Sequence, residues 1–493
     1  MTAATLDTAD LSRFRRRLTL LSSIGMFLDG FDLTVIAVAL PVLKKSWTFT
    51  SFTLGVTSCS AIVGMFVGAL VFGRVADRVG RKKMYLIDLI GFVVFAALAA
   101  FSADVWELIL FRFLLGLCIG ADYPISSSLT AEFGSPRDRG RLVVVLSLMW
   151  NVGALAAYLV GVAFLPIGTS GWRWMLLVGA ALALVTLVFR ASIPESPRWL
   201  IAHGRADEAR RIVADLVNRE APGSRLAAAD VVLPDPDRPV GQFAGGQPAT
   251  GQPATGTGQW RRLFSRGLIS ATFFVCVFWF AHDVAYYGIQ MYSPTILTSL
   301  GGSTQLAADI GSAIIAALGV VGAVIAVLFV DSWGRRPVLL TAFAGETAVL
   351  VALALAHAPA LALIVVLFAI AILFSNMGPG TLDMVYCTEL FPTDLRAAGT
   401  GLGTAVSRIG AILGVLVFPD LVSAWGVTGA LWLFVAAGVL GLVTTAVLAP
   451  ETKNRTLEQT IGTRRHRDGG SAPVPGPRSD LTTVTTDGQR EYR

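Results

Sequence analysis

Long apolar stretches, each about the length of a membrane span, follow one another along most of the chain. A helix that crosses a bilayer needs about 20 mainly apolar residues. Such stretches are predicted at 18–42, 53–74, 84–102, 106–131, 142–165, 172–193, 266–290, 307–330, 337–357, 360–387, 397–419 and 428–449. Twelve of them cannot all be buried helices of a soluble domain. The sequence therefore predicts an all-α integral membrane protein with 12 transmembrane helices.

Composition and the placement of charge support the same class. Hydrophobic residues make up 54% of the chain and charged residues only 15%, whereas soluble proteins carry about 25% charged residues. The net charge of +6 does not predict nucleic-acid binding, because the basic residues cluster beside the apolar stretches and so report topology. These clusters lie at 13–17, 73–83, 135–141, 331–337 and 451–455. Each follows an even number of crossings, so we expect a multi-pass protein of the cell membrane with both termini in the cytoplasm.

The polar segments divide the chain into parts. Residues 205–220 predict an amphipathic helix, since their apolar positions share one face, and residues 246–255 are a low-complexity stretch expected to be disordered. The predicted parts are a cytoplasmic N-terminus (1–17), a six-helix bundle (18–193), a cytoplasmic linker (194–262), a second six-helix bundle (263–450) and a cytoplasmic, mostly disordered tail (451–493).

The two bundles are predicted to be copies of one another. Three polar motifs recur at nearly one offset: Asp331 lies 254 residues after Asp77, Glu389 lies 257 after Glu132, and Pro450 lies 256 after Pro194. Six crossings return the chain to its starting side, so both halves have the same orientation. Parallel repeats of this kind place the substrate site near the membrane midplane, between the halves.

These motifs resemble those of the major facilitator superfamily, over residues 15–460. "GRVADRVGRKK" resembles the superfamily signature between helices two and three, and "PESPRWL" and "PETKNRTLEQ" resemble its sugar-porter-like branch. "GADYPISSSLTAEF" and "WFAHDVAYYG" are similar to proton-coupled phosphate symporters and related bacterial metabolite symporters, and "FLDGFDL" and "SRIGAILG" to aromatic-acid and organic-anion symporters. The resemblance implies a secondary transporter that works by alternating access.

Carboxylates inside the apolar stretches are the first candidate site residues, because a charge at membrane depth is costly and marks function by default. Asp29 and Asp283 lie 254 residues apart, in the equivalent first and seventh helices. The resemblance implies that both helices line the central cavity, so we expect proton coupling there. Asp32 shares a helix face with Asp29; it couples protons too or bonds a nearby backbone group. His282 is either a second proton-relay group or a side chain that faces a neighbouring helix.

Further residues are assigned by the resemblance and by spacing. The resemblance implies that Asp122 belongs to the proton path and that Tyr123 contacts substrate. Trp279 and Tyr287 are eight residues apart, so they share the helix face of Asp283 and form an aromatic wall for substrate.

Arg408 lies deep in the eleventh stretch, too deep to reach the interface easily. A buried cation needs a carboxylate partner or an anionic ligand. The candidates are Asp383 in the tenth stretch and the substrate itself.

Charged residues of the repeated loops form a further candidate set. Alternating signs in both halves predict a salt-bridge network that holds the cytoplasmic side shut and opens during transport; solvated loop charge is the alternative. The predicted cytoplasmic gate consists of Asp77, Arg81, Glu132, Arg139, Asp331, Arg335, Glu389 and Arg396.

The predicted function is proton-coupled symport of a small polar or anionic metabolite, an organic acid or phosphate. Gly380 stands where phosphate carriers have an asparagine, and Arg408 suits an organic anion. The alternatives are a sugar or polyol symporter, an exporter by proton antiport, or a membrane receptor. No enzyme, cofactor or metal is expected, because no catalytic triad, metal cluster or phosphate loop is present in the sequence. The expected partners are the substrate, protons and the lipid bilayer, with no nucleic acid, and the protein is expected to be a monomer.

Overall fold

The structure is a computed structural model that describes residues 12–133, 139–220, 261–265, 267–301, 304–356, 360–392 and 395–453. Within these ranges the chain forms helices and no strand. The α-helices are α1 (Ser12–Leu43), α2 (Ser51–Val79), α3 (Arg81–Ala100), α4 (Val105–Phe133), α5 (Arg139–Phe164), α6 (Gly171–Arg190), α7 (Pro197–Ala202), α8 (Ala206–Glu220), α9 (Ile269–Gly301), α10 (Gln305–Trp333), α11 (Arg335–Leu355), α12 (Leu361–Met377), α13 (Pro379–Leu390) and α14 (Arg396–Leu448).

The helices confirm the predicted all-α membrane fold class. In the described part of the chain, nine helices are long and apolar enough to cross a membrane. Two of these contain a glycine that separates two predicted spans: Gly168 has φ 79° and Gly426 has φ 72°. Helix α4, 29 residues long, covers the predicted span at 106–131. The arrangement is consistent with twelve spans.

The tenth predicted span, 360–387, is broken into two helices. α12 and α13 meet at Gly378, whose dihedral angles are φ −118° and ψ −93°. Pro379 has no N–H for the preceding turn, and Thr381 Oγ1 donates to the carbonyl of Asn376 at 2.6 Å, which satisfies an oxygen at the break. Hydropathy does not register the break, because both sides are apolar. Broken helices occur at membrane depth where they are buried in protein or line a cavity.

The seventh span is longer than the predicted 266–290, because α9 continues to Gly301. The polar residues after position 288 find partners inside the bundle; Gln290, for example, is buried and donates to Thr34 Oγ1 at 3.3 Å. Asp283 therefore lies about 21 Å along a helix of about 50 Å. This places the carboxylate near the middle of the helix.

Helix packing follows the same scheme in both halves. α1 packs against α5, α2 against α4 and α3 against α6. In the second half, α9 packs against α14, α10 against α12 and α11 against α14. The halves meet where α2 contacts α14, α5 contacts α10 and α1 contacts α9. This correspondence matches the repeated motifs of the sequence, while the domain boundaries themselves stay a prediction.

Glycines bring two of these helix pairs into backbone contact. A Cβ atom at Gly30 of α1 would lie 2.0 Å from the Trp150 carbonyl oxygen of α5, and one at Gly414 of α14 would lie 2.2 Å from the Val284 carbonyl oxygen of α9. Small residues of this kind let membrane helices approach closely. The candidate carboxylates Asp29 and Asp283 are the chain neighbours of Gly30 and Val284, so they lie next to these close helix contacts.

The amphipathic segment after the sixth span forms α8 and lies against the start of α1. Ala209, Val213 and Leu216 of α8 are buried, and Val213 and Leu216 share an apolar cluster with Leu18 and Leu21 of α1. α1 begins and α14 ends at the same face of the bundle, which we call the terminal face. We call the other face of the bundle the opposite face.

The "PES" and "PET" motifs make the same contact in the two halves. Glu195 accepts a hydrogen bond from the Lys82 backbone N–H at 3.0 Å, and Glu451 accepts from the backbone N–H groups of Arg335 and Arg336 at 3.1 Å each. A carboxylate at a helix N-terminus pairs with otherwise unsatisfied N–H groups and with the helix dipole. Each motif therefore caps the third helix of its own half, α3 or α11.

Gly334→Ala is expected to lower thermal stability more than Gly204→Ala does. Both glycines have positive φ, 96° and 73°, which costs other residues about 1–3 kcal/mol. Only at position 334 would the new Cβ also meet a side chain, since Glu451 Oε2 lies 2.7 Å away. The measurement is thermal unfolding of the two purified variants in detergent. Equal losses would show that the new Cβ at position 334 does not disturb the Glu451 side chain.

Candidate functional site

The centre of the candidate site is an ion pair between α9 and α14. Arg408 Nη1 lies 3.2 Å from Asp283 Oδ2 and donates to Tyr287 Oη at 2.8 Å. The two charged side chains are only 13% and 3% exposed. A charge withdrawn from water needs an opposite charge to be tolerated, and Asp283 meets that need. Asp383, one of the two partners considered for Arg408 from the sequence, does not form this ion pair.

Asp383 lies near this pair without joining it. It is in α13, just after the break at Gly378, and its Oδ1 accepts a hydrogen bond from the Met384 backbone N–H at 2.6 Å. No ion pair within 4.0 Å links Asp383 to Arg408 in the described part of the chain. The sequence could not separate the two carboxylates, because both are isolated acids in apolar helices.

Aromatic and amide side chains from the first half complete the site. The Trp150 ring of α5 packs against Tyr286 and Tyr287 of α9, with ring centroids 5.5 and 6.0 Å apart. Tyr286 Oη donates to Asn151 Oδ1 at 3.1 Å. These contacts join the two halves beside the Asp283–Arg408 pair. Trp150 and Asn151 were not predicted from the sequence, although an asparagine within an apolar stretch is a usable signal.

Trp279 lies closer to the terminal face than the ion pair does. It is buried in an apolar cluster with Val275 and Phe278, and a Cβ at Gly403 of α14 would lie 3.1 Å from its ring. Trp279 thus packs α9 onto α14, four residues before Asp283. Its predicted contact with substrate stays a prediction.

The first half contains a second buried ion pair. Arg112 Nη1 of α4 lies 3.5 Å from Asp32 Oδ2 of α1, and Arg112 Nη2 donates to the Asp32 carbonyl oxygen at 3.2 Å. The Arg112 side chain is fully buried, so it does not extend to the membrane interface. Asp29, one turn earlier, is also buried and lies close enough to Tyr287 to interact with it electrostatically. Asp29 is therefore within electrostatic range of a side chain of the other half.

Asp32→Asn is expected to destabilise the protein by about 3–5 kcal/mol, because it leaves the Arg112 cation buried without a carboxylate partner. The double variant Asp32→Asn/Arg112→Met is expected to recover most of that loss, since it removes both charges. Thermal unfolding in detergent measures both effects. A double variant no more stable than Asp32→Asn alone would contradict the pairing.

Several buried ionisable residues were missed by the sequence analysis. Glu346 of α11 and Asp309 of α10 are both buried, and each has carboxylate oxygen without a hydrogen-bond partner among the described residues. The signal was available, because each is a lone acid in or beside a predicted apolar stretch.

The comparisons with known proteins identify the family. A family model described as "Sugar (and other) transporter" matches residues 18–461. The chain belongs to this family. The expected resemblance to sugar-porter-like members of the major facilitator superfamily is confirmed, and the chain is a multi-pass membrane transporter rather than an enzyme.

Individual relatives agree with the family assignment. Escherichia coli YaaU, named for metabolite transport, is 34% identical over 454 residues, which are 92% of this chain and 96% of that one. The inner membrane metabolite transport protein YgcS of the same organism is 31% identical and covers 91% of this chain and 94% of its own. The partially occluded inward-open structure of the xylose transporter XylE from E. coli has a TM-score of 0.73 at 20% identity, and the match covers 90% of this chain and all of that one. At that identity the match shows the fold alone.

The transporter's terminal face has a charge pair of the predicted gate. Arg335 Nη2 donates to Glu389 Oε1 at 3.0 Å, and Thr452 Oγ1 donates to Glu389 Oε2 at 2.5 Å. These contacts tie α11, α13 and the segment after α14 together within the second half. A latch between the halves stays a prediction. Outside the described side chains lie the other predicted gate residues, Asp77, Arg81, Glu132, Arg139, Asp331 and Arg396, and also Asp122 and Tyr123.

Between Asp283 and the opposite face, polar side chains of the two halves of the transporter contact one another. Tyr158 Oη of α5 donates to the Gln290 carbonyl oxygen of α9 at 2.5 Å and lies 3.1 Å from Ser293 Oγ. Ser293 Oγ donates to Ser312 Oγ of α10 at 3.0 Å. This contact was not predicted from the sequence, because serine and tyrosine are common in membrane helices and carry no charge.

Proposed function

We propose that the chain is a proton-coupled symporter that imports a small organic anion by alternating access, with its terminal face in the cytoplasm. The observation that carries the proposal is the buried pair of Asp283 and Arg408, 3.2 Å apart. It lies in the middle of α9, where that helix meets the first half of the molecule. Ionisable groups at such a position mark substrate and ion pathways.

Charge balance at this pair couples the proton to the anion. In the empty site the carboxylate and the guanidinium cancel. A proton on Asp283 alone leaves one positive charge, and an anion on Arg408 alone leaves one negative charge. Proton and anion together restore neutrality. Because an uncompensated buried charge costs several kcal/mol, the empty and the doubly loaded carriers reorient, and the half-loaded carriers do not.

The same pair makes the binding of the proton and the binding of the anion cooperative. Protonation of Asp283 frees the Arg408 guanidinium, whose planar fork suits a carboxylate or a phosphate. By linkage, the bound anion then favours the proton equally.

The surroundings favour an organic anion over inorganic phosphate. The rings of Trp150, Tyr286 and Tyr287 lie beside Arg408 or beside one another. Such rings provide apolar contact for the body of an organic acid, which phosphate does not have. This supports a carboxylate with a planar or apolar body.

A sugar or polyol symporter is the second candidate function. Asn151 and Asn376 lie near the aromatic rings: Asn151 accepts from Tyr286, and Asn376 is buried beside Gly319 of α10. Amide and aromatic side chains also suit sugar hydroxyls, and the family is named for sugars. A neutral substrate would, however, leave the protonated site with a net charge.

A ligand screen separates these possibilities. The purified transporter is heated in detergent with benzoate, succinate, inorganic phosphate or xylose, and ligand that binds the folded state raises the unfolding temperature; at 100 times Kd the stabilisation is about 2.7 kcal/mol. We expect benzoate to stabilise most. Accumulation in proteoliposomes with an inward proton gradient, corrected with protein-free liposomes, then tests symport. Stabilisation by xylose alone, or accumulation driven only by an outward gradient, would overturn the proposal.

A further inference from the structure

A cavity of about 410 Å³ lies at the terminal face, away from the Asp283 site. It is bordered by α1, α3, α8 and the segment between α6 and α7. Its apolar part includes Leu18 and Leu21 of α1, Ile193 and Leu216 of α8, and all four side chains are buried. Pockets for small molecules have volumes of about 300–1,000 Å³. The cavity is therefore large enough to hold a ligand or a substantial part of one.

Basic side chains outnumber acidic ones along the described lining of this cavity. Arg17 of α1, Lys82 of α3 and Arg219 of α8 line it, together with the carboxylate of Asp215. Arg17 Nη2 donates to Ser192 Oγ at 2.8 Å, which holds one guanidinium at the rim. Among the described residues, no ion pair within 4.0 Å neutralises any of the three cations. The excess of positive charge favours an anionic ligand.

The cavity lies at the depth where membrane spans end. Arg17 and Lys82 begin two of the apolar spans, and Arg190 ends a third. Arginine and lysine side chains at the ends of spans extend to the level of the lipid headgroups, and basic pockets between transmembrane helices bind anionic headgroups. A soluble anion would meet the cations but would leave the apolar part of the cavity unused. A lipid uses both parts, because its phosphate is anionic and its chains are apolar.

Arg190 of α6 joins the α1 and α3 walls of the cavity. Its guanidinium lies over the Tyr85 ring of α3, 3.8 Å from the ring centroid, and its Nε donates to the Leu21 carbonyl oxygen of α1 at 3.3 Å. The Arg190 side chain is fully buried. Lys82 precedes Tyr85 by three residues and so shares that face of α3. Two walls are therefore fixed to the bundle, and the linker helix α8 supplies the third.

We propose that this cavity binds an anionic membrane phospholipid, such as phosphatidylglycerol. The phosphate lies among the cations of Arg17, Lys82 and Arg219, which form charge-assisted hydrogen bonds to its oxygens. The glycerol and the first methylene groups of the chains pack on Leu18 and Leu21. Zwitterionic lipids bind less well, because their headgroup adds a positive charge to a cavity that already has an excess. The bound lipid fastens α8 to α1 and α3 at the membrane surface.

The test measures stabilisation of the purified transporter by lipid. The protein in non-ionic detergent is titrated with dioctanoylphosphatidylglycerol, with dioctanoylphosphatidylcholine or with glycerol 3-phosphate, and its unfolding temperature is followed. A ligand that binds the folded state raises this temperature, and the concentration dependence gives the apparent affinity. We expect phosphatidylglycerol to act at the lowest concentration. Phosphatidylcholine has the same chains without the net charge, and glycerol 3-phosphate has the charge without the chains, so both should act only at higher concentrations.

Four variants make the result specific to this cavity. Lys82→Gln and Arg219→Gln each remove one of its cations, and each is expected to weaken the apparent affinity for phosphatidylglycerol about fivefold. Lys83→Gln and Arg211→Gln are the matched controls, because each removes an exposed cation of the same helix that is outside the described lining of the cavity. The controls should leave the affinity unchanged. All four side chains are at least partly exposed, so the variants should fold.

Each contrary outcome has a distinct meaning. Stabilisation by phosphatidylcholine at the same concentrations as phosphatidylglycerol overturns the inference, because the site would then not select for anionic lipid. Equal stabilisation by glycerol 3-phosphate overturns it in favour of a soluble anion. Unchanged affinity in Lys82→Gln and Arg219→Gln, or an equal loss in the two controls, overturns it as well, since the lipid would then respond to the general surface charge. Native mass spectrometry of the same proteins provides a second measurement, the amount of phosphatidylglycerol retained.

Discussion

Asp283→Asn is expected to abolish proton-driven accumulation and to preserve exchange of substrate across a membrane without a gradient. Asparagine keeps the shape of the side chain and cannot ionise, so Arg408 stays positive and still binds an anion. The loaded carrier is then neutral and reorients. The empty carrier retains an unpaired buried cation, which costs about 3–5 kcal/mol. Its return, and hence net uptake, should slow at least about 100-fold.

The measurement compares two assays on the same proteoliposomes. Net uptake is followed with and without an inward proton gradient, and exchange is followed with equal substrate on both sides. Asp309→Asn is the matched control, since it replaces a buried carboxylate of α10 for which no contact with the Arg408 pair is present among the described residues. If Asp283→Asn accumulates substrate at the wild-type rate under the gradient, the carboxylate has only a structural role.

Arg408→Ala should eliminate both uptake and exchange of the anion, because it removes the positive charge that the anion needs. Truncation of a buried charged contact costs about 2–5 kcal/mol of binding, so Kd should rise at least about 30-fold. Arg408→Lys retains the charge without the planar fork and should recover binding only in part. The screen of ligand-induced stabilisation measures all three proteins.

The double variant Arg408→Ala/Asp283→Asn separates ligand binding from charge neutralisation. It removes both members of the pair, so the protein should regain the stability that Arg408→Ala loses by leaving Asp283 unpaired. Anion binding should remain absent. Recovery of anion uptake by the double variant would show that Arg408 serves only to neutralise Asp283, and the ligand role would have to be abandoned.

The spans and the family could be predicted because their causes are local in the sequence. The length of an apolar stretch is set by the thickness of the bilayer, and the charge clusters that report topology lie directly beside those stretches. The duplicated motifs are visible as letters at one offset, and the structure shows that Glu195 and Glu451 cap equivalent helices. Hydropathy failed where a helix changes course within apolar sequence, as at Gly378, or continues through polar residues that find buried partners, as at Gln290.

The pairing of the buried charged side chains could not be predicted in the same way. Arg408 and Asp283 are 125 residues apart, and Arg112 and Asp32 are 80 apart. Each pairing depends on how two helices are rotated about their own axes and how far they are shifted along one another. Spacing along the chain places Asp283 and Tyr287 on one face of α9, but it does not say which face of α14 meets them. Spacing along the chain therefore did not identify Asp283 as the partner of Arg408, and only Asp383 and the substrate were considered.

The sequence by itself thus determined that the chain folds in a membrane, that its two halves are duplicated and that it belongs to this family. It also showed that costly charges lie at membrane depth. Each of these properties depends on residues that are close together in the chain or repeated along it. The tertiary structure alone decided that Arg408 pairs with Asp283, that Trp150 and Asn151 reach α9 from the first half, and that the His282 imidazole meets the Ser375 hydroxyl of α12. The physical reason is that side-chain contacts a few ångströms long depend on the rotation and close approach of helices, and that approach is set by packing at positions such as Gly30 and Gly414.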